Sequence, residues 1–259
     1  MMLHRHFNEP LKEPAKSYAN YEELTKGHGL GKERKVAAYS GSRSLYYNMI
    51  PAIKSLLINS VVERIYLLIQ DDEFPYELPK EVETINVSGQ RIFGKESPNM
   101  GSPFTYMSMM RATYANLFPK LDRILSLDID TIVDRDISGI WDLPIDDYYL
   151  SAVPELYQTT QDRKYFNAGV VLYNLKKLRD GKADEVITHL NQYRYTFLEQ
   201  DCFNKCCYRQ IHEMPPEYNA TQYTQKVSEP RIVHYAGIAD WTDRDLVKKY
   251  RDIPWSDIR

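Results

Sequence analysis

The sequence predicts an α/β fold in which a mainly parallel sheet is covered by helices on both faces. Strand-like apolar runs alternate along the chain with segments of helical periodicity, which is typical of this class. One run, within Arg64–Gln70, is almost continuously apolar, as expected of a strand that is buried on both faces. Ligands bind such sheets at the carboxyl ends of the strands, so we expect a functional site at that edge.

The first half of the chain contains four predicted strands and two predicted helices. Met49, Ile53 and Leu56 recur at helical spacing, which indicates the first of the helices. The predicted strands are Lys35–Ser40, Arg64–Gln70, Val82–Ser88 and Arg123–Val133, and the predicted helices are Tyr47–Ile58 and Phe104–Phe118.

The second half continues the alternation and ends in a short predicted helix. No linker rich in Gly, Ser or Pro divides the chain, so we expect a single domain over residues 35–259. Residues 1–34 are polar and have no clear period, which predicts an N-terminal extension. The later predicted strands are Tyr149–Val153, Gly169–Tyr173 and Arg231–Tyr235, and the helices are Ala183–Asn191 and Gln200–Cys207.

Composition and charge argue against two classes of protein. The formal net charge is -3, whereas a nucleic-acid-binding protein usually carries a basic excess. A membrane-spanning helix is not expected, because the sequence has no run of about 18 apolar residues. Residues Lys248–Trp255 are basic and aromatic, so a peripheral contact with an anionic membrane is an alternative to a plain C-terminal helix.

The three cysteines are clustered at Cys202, Cys206 and Cys207. An odd, clustered set is not a disulfide framework, and the spacing lacks the paired CxxC of a structural zinc site. We therefore expect reduced thiols on a helix, in a cytoplasmic protein.

The segment LSLDID carries the most specific chemistry in the sequence. Asp128 and Asp130 are two residues apart, so on an extended chain their side chains point the same way. Carboxylate oxygens of this kind bind Mg²⁺ or Mn²⁺, and the cation can neutralise a diphosphate leaving group. A solvated acidic turn is the alternative, although the apolar run before Asp128 favours the metal site.

His234 ends a second apolar run and is a candidate third ligand. An imidazole would shift the preference of the site from Mg²⁺ toward Mn²⁺. The alternative is a hydrogen-bonded core histidine, and the residues alone leave the two interpretations open.

The order and spacing of several segments resemble glycosyltransferase family 8, whose members are retaining enzymes that use nucleotide sugars. The resemblance covers about Lys35–Trp241 and implies a GT-A fold, with a Rossmann-like nucleotide half joined to an acceptor-facing half. The segments that carry it are KVAAYSGSRSLYYNMIPAIKSLL, RATYANLFPKLDRILSLDIDTIVDRDISGIWD, AVPE, FNAGVVLYNL, LEQDCFNK, PEYNA and HYAG.

The resemblance also implies roles for individual residues. Asp128, Asp130 and His234 match the metal ligands of the family. The residues that would bind the nucleotide sugar are Ala38, Tyr39 and Ser40 around the uridine, Arg111 at the sugar and the aspartates, Ile129 between the two aspartates, Asn167 and Ala168 at the sugar wall, and Gly237.

Three further residues are implied to act near the reacting carbon. Gln200 would lie beside the anomeric carbon, with Asp201 next to it and Glu155 near the acceptor or the sugar. Glu199 replaces an aspartate that binds sugar hydroxyls in the family. Because an amide and not a carboxylate is expected beneath the sugar, attack from the face of the leaving group is favoured over double displacement. Glu155 and Asp201 remain alternatives as nucleophile or acid/base.

The implied function is Mn²⁺-dependent transfer of a hexose from UDP-glucose or UDP-galactose to a hydroxyl of a glycan, a lipid-linked sugar or a protein. One departure from the family concerns phosphate binding, because Ala239 and Asp240 lie where members usually have a lysine. Arg43, Arg244, Lys248 or Lys249 are the candidate replacements. The alternatives are a UDP-sugar hydrolase, a self-glycosylating protein, a non-catalytic sugar-nucleotide binder and a two-metal phosphotransferase.

Overall fold

The structure, a computed structural model, describes residues 16–17, 34–102 and 105–258. The predicted N-terminal extension therefore lies almost entirely outside the described residues, as does Phe104 at the start of the second predicted helix. Within the described residues, no helix is both long enough and apolar enough to cross a bilayer.

A mainly parallel sheet forms the centre of the molecule, as predicted. Its strands lie in the order β1-β4-β3-β2-β5-β8-β7-β9. All neighbouring strands run parallel except β8, which is antiparallel to both β5 and β7. The strands of this sheet are β1 (Lys16–Ser17), β2 (Val36–Ser40), β3 (Arg64–Ile69), β4 (Val82–Asn86), β5 (Arg123–Leu127), β7 (Leu150–Pro154), β8 (Phe166–Asn174) and β9 (Ile211–Glu213).

A second, two-stranded antiparallel sheet is formed by β6 (Thr131–Val133) and β10 (Ile232–His234). The α-helices of the described residues are α1 (Tyr46–Asn59), α2 (Tyr106–Met109), α3 (Tyr114–Leu117), α4 (Leu175–Leu178), α5 (Lys182–Gln192), α6 (Leu198–Cys206) and α7 (Asp245–Asp252). The 3₁₀ segments are Arg43–Leu45, Met110–Thr113, Ser138–Asp142, Pro216–Tyr218, Trp241–Asp243 and Trp255–Asp257.

Two predicted elements were wrong in their continuity. The helix predicted for Phe104–Phe118 is interrupted by the 3₁₀ segment Met110–Thr113, where the Thr113 hydroxyl donates to the Met110 carbonyl. The strand predicted for Arg123–Val133 is broken after β5 by a turn, and its second part leaves the central sheet as β6. The final predicted strand likewise lies in the small sheet and not in the central one.

The central sheet is buried on both faces. In β2, Val36 and Ala38 contribute to one apolar core, while Ala37 and Tyr39 contribute to the other. This double burial explains why the predicted strands are continuous apolar runs and do not alternate in polarity.

Helix α1 fixes the position of β6 through two polar side chains. The Val133 amide donates to the Ser55 hydroxyl (3.0 Å), and the Asn59 amide donates to the Val133 carbonyl (2.9 Å). The turn between β5 and β6 is therefore anchored at both ends, by the central sheet and by α1.

Candidate active site

Asp128, Asp130 and His234 meet at the turn between β5 and β6. In the small sheet His234 is paired with Thr131, and the Tyr235 amide donates to the Asp130 carbonyl (3.0 Å). The Nε2 atom of His234 lies 3.3 Å from Asp130 Oδ1 and 3.6 Å from Asp128 Oδ2. One potential ligand atom of each side chain lies within 4.8 Å of the other two, so the set fits a single cation.

The two aspartates converge for a different reason from the one expected. The amide and the hydroxyl of Thr131 both donate to the Asp128 carbonyl, at 3.2 and 2.6 Å. The Asp-x-Asp segment is therefore a hydrogen-bonded turn, and the prediction of an extended chain there was wrong. The turn places Asp130 next to β10, because its carbonyl accepts from the Tyr235 amide. The imidazole of His234, at the end of β10, therefore lies beside both carboxylates.

A chain of side-chain amides fixes the orientation of the His234 ring. The Asn167 amide nitrogen donates to Glu155 Oε1 (2.8 Å), and the Gly169 amide donates to Asn167 Oδ1 (2.9 Å). The Asn219 amide nitrogen also donates to Asn167 Oδ1 (2.9 Å), which leaves Asn219 Oδ1 facing Nδ1 of His234 at 2.9 Å. Since that oxygen only accepts, Nδ1 carries the proton and donates. When the ring is neutral, its free lone pair is then on Nε2, the atom that faces the two carboxylates and would bind a cation held between them.

His234 and Asp130 each shift the pKa of the other. Burial disfavours the charged imidazolium, but Asp130 and Asp128 outweigh this and raise the pKa of His234 above its ordinary value. Burial likewise opposes ionisation of Asp130, but His234 outweighs it and holds the pKa of that carboxyl below its usual range. Without a metal ion, the site therefore favours an ion pair between protonated His234 and ionised Asp130. A divalent cation that enters the site would take the place of the proton on Nε2.

Gly169 makes room for the imidazole. A Cβ atom at this position would lie 2.0 Å from Cε1 and 2.5 Å from Nδ1 of His234. The Gly169 carbonyl also accepts the hydrogen bond of the Asp128 amide (2.8 Å). One backbone unit of β8 thus lies against the imidazole and also binds the backbone of Asp128.

Arg111 links Asp128 to the wall of an adjacent cavity. Its guanidinium is buried and donates to Asp128, to the Ala168 carbonyl (2.8 Å) and to Glu199 (3.2 Å). Burial raises the pKa of Glu199, and the adjacent Arg111 charge opposes that shift. Glu199 therefore serves here as the buried partner of Arg111.

Gln200 lies at the centre of a second network. Its side-chain oxygen accepts from the Ala168 amide (2.7 Å), and its nitrogen donates to Glu155 (3.3 Å) and to the Tyr165 hydroxyl (3.1 Å). Tyr165 in turn donates to Asp201 (2.5 Å). The three predicted catalytic residues are thus joined, and the sequence reasoning missed Tyr165 between them.

A cavity of about 160 Å³ adjoins Asp128. It contains four residues singled out from the sequence, together with Glu199, and it offers space for a ligand beside the three metal-ligand candidates. A larger cavity, of about 380 Å³, lies beside α1 and the C-terminal residues, and none of the predicted site residues lines it. The smaller cavity is lined by Ser108, Arg111, Asp128, Ala168, Phe197, Leu198, Glu199 and Gln200.

The predicted uridine segment is accessible at one residue only. The side chains of Ala38 and Tyr39 have no exposed surface, and the Tyr39 hydroxyl donates to the Ala52 carbonyl (3.4 Å). Ser40, at the end of β2, is partly exposed. The contribution of Ala38 and Tyr39 is therefore to hold the strand end in the core.

Ile129 lies between Asp128 and Asp130 along the chain, and Gly237 follows His234 by three residues. Ile129 is partly buried against the core. Gly237 is exposed in a turn and has a φ of +69°, a conformation that favours glycine. A Cβ atom there would also lie 2.9 Å from the Tyr223 hydroxyl, so this turn requires a glycine.

Three of the candidate replacements for the family's phosphate-binding lysine have acidic partners. One of them, Arg244, also neutralises the charge of Asp240, which would otherwise oppose phosphate binding. The pairs are Arg244 with Asp240 (3.0 Å), Lys249 with Asp134 (3.4 Å) and Arg43 with Asp71.

The comparisons with known proteins agree with this geometry. The profile described as "Glycosyl transferase family 8" matches residues 38–243. The chain belongs to glycosyltransferase family 8. Among curated family relatives, it is 29% identical over 162 residues to general stress protein A of Bacillus subtilis (51% of this chain, 57% of that protein). It is 27% identical over 192 residues to the lipopolysaccharide 1,2-glucosyltransferase of Escherichia coli (57% of this chain, 56% of that protein). The chain spans about half of the length of these relatives.

Two solved glycosyltransferases share the fold of this family 8 chain. GlyE of Streptococcus pneumoniae matches with a TM-score of 0.68 and 20% identity, over 88% of this chain and 62% of GlyE. The galactosyltransferase LgtC, solved with donor and acceptor sugar analogues, matches with a TM-score of 0.60 and 18% identity, over 85% of this chain and 98% of LgtC. The predicted GT-A fold is thereby confirmed.

The contact between Gly169 and His234 yields a stability prediction. The Gly169→Ala variant should lose about 1–3 kcal/mol of unfolding free energy, because the added methyl overpacks the buried imidazole. Urea denaturation measures this loss. The matched control is Gly139→Ala, whose new Cβ would meet only the Tyr218 hydroxyl at 3.5 Å. Equal stability of the Gly169→Ala variant and the wild type would contradict the proposed fit.

The buried Arg111–Glu199 pair yields a second prediction. The Arg111→Met variant should be destabilised by about 3–5 kcal/mol, because it leaves the Glu199 carboxylate buried without its cation. Burial already raises the pKa of Glu199, and loss of Arg111 removes the opposing charge. In the variant, Glu199 is tolerated in the core when it is protonated and neutral, which is the case at acidic pH. Ionisation of Glu199 as the pH rises is unfavourable in the folded state, so the loss of unfolding free energy should be larger at neutral pH than at acidic pH.

The double variant Arg111→Met with Glu199→Gln is the control for that experiment. It removes the buried charge, so it should recover part of the lost stability and most of the added pH dependence. Urea denaturation at two pH values measures both effects. A double variant as unstable and as pH-sensitive as the single one would show that the Glu199 charge is not the cause.

Proposed function

We propose that this chain is a retaining glycosyltransferase that moves a hexose from UDP-glucose or UDP-galactose to a hydroxyl acceptor and requires Mn²⁺ or Mg²⁺. The observation that carries the proposal is the convergence of Asp128, Asp130 and His234 beside the cavity lined by Arg111 and Gln200. Family membership supports glycosyl transfer as the reaction. The names of the Escherichia coli glucosyltransferase and of LgtC support these two hexoses as the donors to test first.

The chemistry of the three side chains fits a divalent cation. Two carboxylates and one imidazole are ligands that Mn²⁺ accepts, and the imidazole favours it over Mg²⁺. Such a cation would neutralise the charge of the diphosphate as it leaves. The protein prepares this position through Asn219, which fixes the ring of His234, and through Arg111, which holds Asp128.

The network around Gln200 favours attack from the same face as the leaving group. Glu155 is buried and accepts hydrogen bonds from the amides of Asn167, Gln200 and Gln158, which disperse its charge and make it a weak nucleophile. Asp201 accepts from Tyr165 and from the Phe197 amide. Both carboxylates are thus suited to positioning Gln200, and retention then proceeds without a covalent glycosyl-enzyme intermediate.

Several finer assignments belong to the same proposal. We assign residues 35–259 to one GT-A domain, which includes the 38–243 region matched to the family. Ser40, Ile129, Asn167, Ala168 and Gly237 are assigned to nucleotide-sugar binding. The acceptor would be a glycan, a lipid-linked sugar or a protein, and the three free thiols favour a cytoplasmic location.

A non-catalytic sugar-nucleotide binder or a UDP-sugar hydrolase is the second candidate. The observation that favours it is the missing phosphate-binding lysine, together with the acidic partners of Arg244, Lys249 and Arg43. UDP release separates the candidates. A transferase releases UDP faster when acceptor is added, a hydrolase releases it equally without acceptor, and a binder releases none.

Removal of one carboxylate tests the proposed metal centre. The Asp130→Asn variant should lower kcat about 100- to 1000-fold, the size of effect seen when one group that stabilises charge in a transition state is lost. Steady-state UDP release with and without Mn²⁺ measures this, and thermal unfolding checks that the variant is folded. The matched control is Asp146→Asn, because Asp146 is exposed and paired only with Arg123. Full turnover by Asp130→Asn would eliminate this metal assignment.

Asn219 provides a test that does not depend on turnover. The Asn219→Ala variant should bind Mn²⁺ about 10–100-fold more weakly, because His234 loses the acceptor that fixes its tautomer. Metal titration measures the affinity, and nitrogen NMR of the histidine ring reports whether Nδ1 keeps its proton. Asn191→Ala is the control, since the Asn191 amide binds only the carbonyls of Ile92 and Ile187. Unchanged affinity and an unchanged tautomer in Asn219→Ala would refute this role.

A further inference from the structure

Helices α5 and α6 pack against each other and bring together four side chains that the proposed reaction does not use. Glu185 and His189 are four residues apart on α5, and Cys202 and Cys206 are four residues apart on α6. Side chains at this spacing lie on one face of a helix, so each helix presents a pair of potential ligands.

Three of these residues have potential ligand atoms that all lie close to one another, and the fourth, Cys202, adjoins Cys206. One atom each of Glu185, His189 and Cys206 lies within 4.8 Å of the other two. The Cys202 sulfur lies 3.9 Å from the Cys206 sulfur, and both thiols are free. In a tetrahedral zinc site, two sulfurs at about 2.3 Å from the metal are about 3.8 Å apart, close to the spacing found here.

The surroundings also suit a bound metal. The Tyr195 hydroxyl lies 3.2 Å from Nδ1 of His189, and a bond of this kind orients an imidazole ligand. Lys182 pairs with Glu185 and donates to the Cys206 carbonyl (3.1 Å). Lys182 is therefore the competing cation, and it must release one oxygen of Glu185 when a metal enters.

We propose that Glu185, His189, Cys202 and Cys206 bind Zn²⁺, at a site separate from the centre formed by Asp128, Asp130 and His234. Thiolate and imidazole ligands select zinc over Mn²⁺ and Mg²⁺, whereas the carboxylates of the first centre suit the harder ions. The site joins α5 to α6, the helix whose first turn carries Glu199 and Gln200. Its role is structural, because a metal that joins the two helices would fix the position of Glu199 and Gln200 in the cavity wall.

Cobalt tests this site in the full chain, because Co²⁺ bound by thiolates has a sulfur-to-metal charge-transfer absorption. The reduced, metal-free protein should develop that absorption with one equivalent of Co²⁺ and lose it when Zn²⁺ is added. Cys206→Ser and His189→Gln should each weaken Zn²⁺ binding about 100-fold or more, since loss of a residue that only supports a ligand already costs 10–100-fold. In the Asp130→Asn variant, whose other metal centre is impaired, Zn²⁺ should also raise the Tm, and adding Cys206→Ser should abolish that rise.

Two controls keep the site distinct from the rest of the protein. Asp130→Asn should keep the absorption, because Asp128, Asp130 and His234 contain no sulfur. Cys207→Ser should keep it as well, because Cys207 lies outside the cluster. If that buried substitution prevents folding, mass spectrometry of the alkylated wild type replaces it, and Zn²⁺ should then protect Cys206 from alkylation.

Four results would overturn the proposal. The first is no charge-transfer absorption although a thiol assay finds all three cysteines reduced, and the second is an absorption that survives in Cys206→Ser. The third is alkylation of Cys206 that Zn²⁺ does not slow, and the fourth is a disulfide between Cys202 and Cys206 in freshly purified protein.

Discussion

The geometry of the active site depends on how the His234 ring is held. Gly169 leaves space for the ring, and Asn219 Oδ1 accepts a hydrogen bond from Nδ1, so that Nε2 faces the carboxylates of Asp128 and Asp130. Burying an imidazole beside two carboxylates is costly unless its polar atoms have partners, and here each ring nitrogen has one. The remaining polar residues of the site are arranged around this requirement.

The same contacts connect the two halves of the site. The amide chain from His234 through Asn219 and Asn167 ends on Glu155, and Glu155 also accepts from Gln200. A buried polar network of this kind is stabilising only when all of its members are satisfied, so it favours a single arrangement of side chains. The position of the metal-ligand candidates and the position of the amide proposed to lie beneath the sugar are thereby set together.

Local patterns predicted β2, β3, β4, β5, β7 and β8, because strands buried on both faces are continuous apolar runs, but they missed the short strands β1 and β9. They also singled out Asp128 and Asp130, since carboxylates that follow a buried strand are unusual, whereas the residues alone left the role of His234 open. The turn before Thr131 was missed because the apolar residues on both sides of it resemble one continuous strand. Its second part pairs with β10, which lies about a hundred residues later in the chain. Asn219 lies within the segment PEYNA, but only the fold shows that its amide contacts the imidazole.

Helix propensity failed where polar side chains compete with the backbone. The second predicted helix has suitable apolar spacing, yet the Thr113 hydroxyl binds a backbone carbonyl and the helix tightens to 3₁₀ over Met110–Thr113. This irregular segment carries Arg111, the residue that bridges Asp128 and Glu199. A departure from regular structure thus coincides with a residue on which the site depends.

The missing phosphate-binding lysine can be weighed against the charges that remain. Arg244 pairs with Asp240 at 3.0 Å, and both side chains are about half exposed or more, at 47% and 66%. Exposed pairs of this kind contribute at most about 1 kcal/mol, so exchanging Asp240 for a doubly charged diphosphate is not costly for Arg244. A buried pair such as Arg111–Glu199 does not allow such an exchange, because the abandoned carboxylate would have no solvent. The exposed Arg244 can therefore exchange its carboxylate partner for a phosphate at little cost, but that exchange would leave Asp240 without its cation.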